Sequence, residues 1–174
     1  MSVWVLAAAI VAAVAVFFGI RAFRGWLKYR GECVVSCPEN QKTAGMRVDA
    51  WHAASHLRVS TCSRWPERAG CGQQCLAQIE SAPEDCLVRG ILAQWYAGKV
   101  CVCCGQPLGD FPWGPGKPAL LRPDHRSVEW SGIPAEQLPE TLATSAPICF
   151  ACHTANTFAS EHPELVIDRS RSVT

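Results

Sequence analysis

An unbroken apolar run opens the chain. The nineteen residues from Ser2 to Ile20 carry no charge, and a helix of that length just covers a hydrocarbon core of about 30 Å. The pattern predicts one membrane-spanning helix. A cleaved signal peptide would carry positive charge before its apolar stretch. Here no basic side chain precedes the run, whereas Arg21, Arg24, Lys28 and Arg30 follow it at once. By the positive-inside rule that flank stays in the cytoplasm, so the expected topology is a single pass with the N-terminus outside and residues 31–174 inside. Phe23, Trp26, Leu27 and Tyr29 interleave with these charges, as suits an interfacial turn whose rings sit at headgroup level while Lys and Arg stems snorkel. Residues 1–30 are therefore read as an anchor with a basic juxtamembrane flank.

Beyond residue 30 the apolar segments are short. "ECVVSC", "MRVDAW" and "HLRVSTC" are β-branched and separated by polar or glycine-containing stretches, which predicts small strands, although "DAWHAASH" suits a helical turn equally well. A short helix is expected through "CGQQCLAQIE". Leu87, Val88, Ile91, Leu92 and Trp95 recur at helical spacing. Ser81 with Glu84 reads as a capping box before them, Pro83 fits a first turn, and Gly98 is a natural stop. The stretch "GQPLGDFPWGPGKP" holds too much Gly and Pro for regular structure. The expected class is α+β, one transmembrane helix followed by a small metal-stapled domain that divides near Gly98 into regions 31–98 and 99–174.

A net charge of +1 offers no excess that would favour nucleic acid, and the basic residues cluster only at the membrane flank. Eleven cysteines change the picture more. In a reducing cytoplasm they point to metal ligands; on the other side of the membrane the same residues would read as a disulfide framework with one left over.

The C-terminal region carries the stronger motif. Cys101-Val-Cys103-Cys104-Gly105 supplies one Cys-x-x-Cys pair and Cys149-Phe-Ala-Cys152 a second. Two such pairs suit a tetrahedral zinc ion, and glycine permits the positive φ that a tight cysteine turn needs. The predicted metal ligands are Cys101, Cys104, Cys149 and Cys152, with Cys103 pointing away. The pairing resembles zinc-ribbon and treble-clef modules, with "CVCCGQPL" as the knuckle and "CFACHTANTF" opening the second ligand-bearing element. The wider cysteine pattern resembles that of uncharacterised, cysteine-rich, membrane-anchored bacterial proteins.

Two other chemistries share these residues. Cys149-x-x-Cys152-His153 is also the attachment sequence of a c-type haem, whose second axial ligand would come from Met46, His52, His56, His125 or His162. Asp124-His125 between the cysteine pairs looks like the zinc-stabilised HNH nucleases, in which the histidine would activate water; the alternative is a polar turn before "SVEW". In the N-terminal region Cys33, Cys37, Cys71 and Cys75 are a candidate second metal set, for zinc or equally for an iron–sulfur cluster, which leaves Cys62 and Cys86 spare. Asp49, His52 and His56 would share one face of a helix, as metal donors or simply as a solvated face. Trp65 sits among charges in "CSRWPERAGC", as a partner-binding or membrane-facing loop would place it.

No nucleophile with a base and an orienting group emerges. The expectation is a membrane-anchored zinc-binding interaction or scaffold module, an accessory subunit of a membrane complex, held to lipid through residues 2–30 and meeting a protein partner. A haem c or iron–sulfur electron carrier and a metal-dependent nuclease are the alternatives.

Overall fold

The structure is a computed structural model that describes residues 3–52, 56–68, 70–109 and 116–165. The chain forms two units, Met1–Ile91 and Leu92–Thr174. The boundary between them lies after Ile91.

The first unit begins with α1 (Val3–Tyr29), none of whose residues is buried. It is long and apolar enough to cross a membrane. At its end Trp26 stacks between Phe23 and Trp51, with ring centroids 6.0 and 5.6 Å away, and the Arg30 guanidinium lies 4.8 Å over the same indole.

Three antiparallel strands follow, β1 (Glu32–Ser36), β2 (Thr43–Val48) and β3 (Val59–Cys62), in the order β1-β2-β3. The register sets Cys33 opposite Met46 and Val35 opposite Ala44. Alternation then delivers these four side chains to one face. There they pack with Val48, Val59, Ile79, Cys86 and Leu87 in a core covered by α2 (Leu76–Ser81) and α3 (Pro83–Cys86).

The helix expected from Ser81 to Gly98 is broken into pieces. Ser81 ends α2, and its hydroxyl donates to the Gln78 carbonyl instead of capping a new helix. Leu87 is extended, at φ −71° and ψ 131°, and its backbone bridges Cys33 at the edge of the sheet. Its side chain is fully buried. Strand pairing and burial of one leucine thus override a helical pattern, and a separate helix, α4 (Val88–Tyr96), carries the remainder.

In the second unit β4 (Ala119–Leu121) is the centre of an antiparallel sheet of order β5-β4-β6, with β5 at Ser127–Val128 and β6 at Ala146–Ile148. Helix α5 (Leu138–Thr144) leads into β6, and α6 (Phe150–Glu161) follows it. Cys101, Ala119 and Ile148 form one buried cluster of this unit, and Leu92, Tyr96, Leu120 and Leu138 are buried in it as well. The Tyr96 hydroxyl donates 2.9 Å to the Ala119 carbonyl, which satisfies a polar tip in the interior. Of "GQPLGDFPWGPGKP", residues 110–115 lie outside the described residues, as do 53–55 of "DAWHAASH".

Candidate metal centre

The site is made of two tight chain turns. The first follows Cys101, whose N–H donates 2.9 Å to the Gln106 carbonyl while Gly105 N–H donates 2.8 Å back to the Cys101 carbonyl. Closing this turn requires φ of 72° at Gly105, a conformation glycine adopts without steric cost. It aims the N–H groups of Cys103 and Cys104 at the Cys101 sulfur. The Val102 N–H donates 3.0 Å to the Pro147 carbonyl, tying this turn to the strand that leads into the second.

The second turn is the start of α6. Cys149 is its N-cap, and the sulfur accepts the Cys152 N–H at 3.5 Å. The Cys149 N–H in turn donates 3.3 Å to the Cys101 sulfur. The Cys104 and Cys149 sulfurs are 3.8 Å apart. All four sulfurs, of Cys101, Cys104, Cys149 and Cys152, lie within 4.8 Å of one another, close enough to hold one metal ion. Among the described residues this is the one group of three or more Cys, His, Asp or Glu donors so assembled.

Electrostatics divide the four thiols. Burial would raise the Cys101 pKa, but the N–H groups of Cys149, Cys104 and Cys103 and the Cys104 thiol outweigh it and hold Cys101 at about 6. Cys152 is pushed well above the ordinary thiol range by hydrogen bonding to Cys149 and Cys104, and by burial. The cluster therefore carries a ready thiolate and retains a proton for a cation to displace. Cys103 is exposed, contributing its N–H rather than its sulfur.

His153 is not among the donors. Its side chain is only 12 % exposed, and its Nδ1 lies 2.7 Å from the Ser127 hydroxyl. Asn156 braces the same strand, accepting the Ser127 N–H at 3.0 Å and donating 3.1 Å to the His125 carbonyl. Neither Ser127 nor Asn156 drew notice in the sequence, because Ser-to-His and Asn-to-backbone bonds across 26 to 31 positions leave no spacing signal. Asp124 and His125 form the polar turn between β4 and β5. Asp124 accepts the Arg126 N–H at 3.1 Å, and His125 has φ 61°.

The N-terminal set is placed differently from its spacing. Cys33 and Cys37 are four residue steps apart along an extended segment, roughly 13 Å at the rise of a strand, too far to share an ion. Cys33 is fully buried; burial first, then the Cys86 thiol, push its pKa up to about 12. Cys37, Cys71 and Cys75 instead line a cleft of about 200 Å³. Asp49 is engaged by Arg58 at 3.0 Å and His52 at 2.8 Å, so its charge is already balanced.

Compared with known proteins, the chain matches no family model, no curated protein and no solved structure.

Proposed function

We propose that this protein is a membrane-anchored zinc-binding interaction module. One observation carries the reading: four sulfurs from two turns gathered within 4.8 Å. Zinc–thiolate bonds of 2.3 Å imply sulfurs about 3.8 Å apart in a tetrahedron, the separation found between Cys104 and Cys149. The donor set is all sulfur with no open position, which suits a structural ion better than a catalytic one. The second unit is small and its strands are only two or three residues long, so a metal staple adds stability that such a unit needs. Val102 and Phe150, each about half exposed, flank the centre with an apolar rim that favours a protein partner. The anchor is α1, with lipid as its surroundings and residues 31–174 on the cytoplasmic side.

The haem reading gains no support from this geometry, since Cys149 and Cys152 converge on Cys101 and Cys104 while the His153 ring is engaged with Ser127. A nuclease would need donors gathered around His125, and the one group of three or more found among the described residues does not include it. An iron–sulfur cluster would use the same four thiolates.

Metal analysis and an absorption spectrum of the purified full-length protein test the proposal. A colourless protein holding zinc, which loses it in Cys104→Ser and keeps it in His153→Ala, is the expected result. Colour from haem or cluster, or metal lost in His153→Ala and kept in Cys104→Ser, overturns it. A reporter active only in the cytoplasm, fused after Thr174, tests the orientation and should be active.

A further inference from the structure

The turn that joins β1 to β2 repeats the turn of the metal centre. Cys37 N–H donates 2.8 Å to the Lys42 carbonyl, as Cys101 N–H donates 2.9 Å to Gln106. Gln41 N–H donates 2.8 Å to the Cys37 carbonyl, as Gly105 does at 2.8 Å to Cys101. Gln41 has φ 62° where Gly105 has 72°. The N–H groups two and three residues on, Glu39 and Asn40, lower the Cys37 pKa as those of Cys103 and Cys104 lower that of Cys101. In both backbone hydrogen bonds and in the positive φ this is the same cysteine knuckle, with Asn40 where the other has its second ligand. A non-glycine residue at positive φ is unfavourable, so the turn is held by more than local preference.

Three more cysteines are near it. Cys71 and Cys75 line the cleft that Cys37 opens, on a segment that reverses through Gln73 at φ 52°. Cys62, at the end of β3, packs against the same core as Cys37 and Cys75, and its charge, with those of Cys71 and Cys37, is felt at Cys75. The Arg64 guanidinium donates 3.1 Å to the Cys37 sulfur, which partly offsets the negative charge that four thiolates around a divalent cation would carry.

We propose that Cys37, Cys62, Cys71 and Cys75 form a second site for a divalent, thiophilic metal ion. Cys62 thus takes the place that spacing gave to Cys33. These sulfurs are not drawn together as tightly as those of the first centre. One side, the knuckle, is preformed, and the 71–75 segment closes onto it when metal binds. Ordering that segment costs free energy, so this site fills after the first and empties before it.

Cobalt(II) titration of the full-length, metal-free, reduced protein in detergent tests this, read by thiolate charge-transfer absorption and confirmed by metal analysis. Two equivalents are expected, taken up in sequence. Cys62→Ser and Cys75→Ser should each bind one, with the spectrum of the first centre intact as proof of folding. Cys33→Ala should still bind two. Cys149→Ser should lose the first equivalent and keep the second, so failure of either site is seen separately from failure of the other. A single equivalent in the wild-type protein overturns the proposal. So does retention of both equivalents in Cys62→Ser, or an intact mass 2 Da low before reduction, with peptide mapping that places a disulfide among these four cysteines.

Discussion

The Nη2 atom of Arg89 lies 2.8 Å from the carbonyl oxygen of Lys28, in the last turn of α1. The same guanidinium donates to the carbonyls of Leu27 at 3.2 Å and Arg30 at 3.3 Å, and Glu84 holds it from behind at 3.2 Å. The terminal carbonyls of a helix have no partners within it and carry partial negative charge. A side chain from the far end of the first unit therefore caps the long apolar helix.

Arg89→Met should remove this cap at a cost of about 1–2 kcal/mol, the range for charge-assisted bonds at a partly exposed helix end. Arg89→Lys should recover only part, because one ammonium cannot fork across three carbonyls. Protease cleavage between residues 28 and 32 of the detergent-solubilised protein checks both. Unchanged cleavage in Arg89→Met would mean the contact contributes nothing.

Gly90→Ala is expected to be more damaging than any exposed substitution nearby. A Cβ at residue 90 would be driven into the backbone carbonyl of Glu84, and backbone cannot rotate aside as a side chain can. Forcing α4 away from α3 should cost roughly 1–3 kcal/mol. Denaturant unfolding measures it, with Gly132→Ala, where nothing lies within 4 Å, as the control.

Acid should strip the metal centre in a defined direction. Cys101 has its folded pKa lowered from 9.0 to about 6, so in the metal-free fold its stabilising effect is complete above pH 9 and is lost as pH falls through 6. Cys152, raised above the usual thiol range, must yield its proton to the ion. Apparent affinity should therefore increase with pH and fall most steeply below about 6. Competition with a chromophoric chelator across pH 5 to 8 reads this slope, and a flat profile would exclude thiolate ligation.

Replacing Cys149 by Ser should both release the metal and loosen the second unit. Binding of a structural zinc is worth on the order of 10 kcal/mol or more, and the buried cluster of Cys101, Ala119 and Ile148 packs directly against Cys149 and Cys152. Limited proteolysis should then cut within 99–165 while the sheet of the first unit persists. A variant that kept its metal and its protease resistance would rule the centre out.

What the sequence made legible was local. The uncharged run became α1, and the two Cys-x-x-Cys pairs, each a tight turn, met in one cluster. What it hid depended on partners distant along the chain. Leu87 leaves its helix only because Cys33 offers an edge to pair with. Cys33 and Cys37 look like a ligand pair at a hairpin, but four steps along the strand carry them apart. The short strands β4 and β6, three residues each, are too brief to show a period of their own and exist through each other.

The Cys104 and Cys149 sulfurs meet across 45 positions of chain, and that interval is also a time. At roughly 5–20 residues per second of synthesis, the first knuckle is complete some 2–9 s before its partner cysteines exist. A metal ion met in that interval finds two thiolates, not four, and passes on or is held weakly. An ion held by the four cysteines would therefore close the second unit instead of nucleating it, and chains arrested before Cys149 should carry none at this centre.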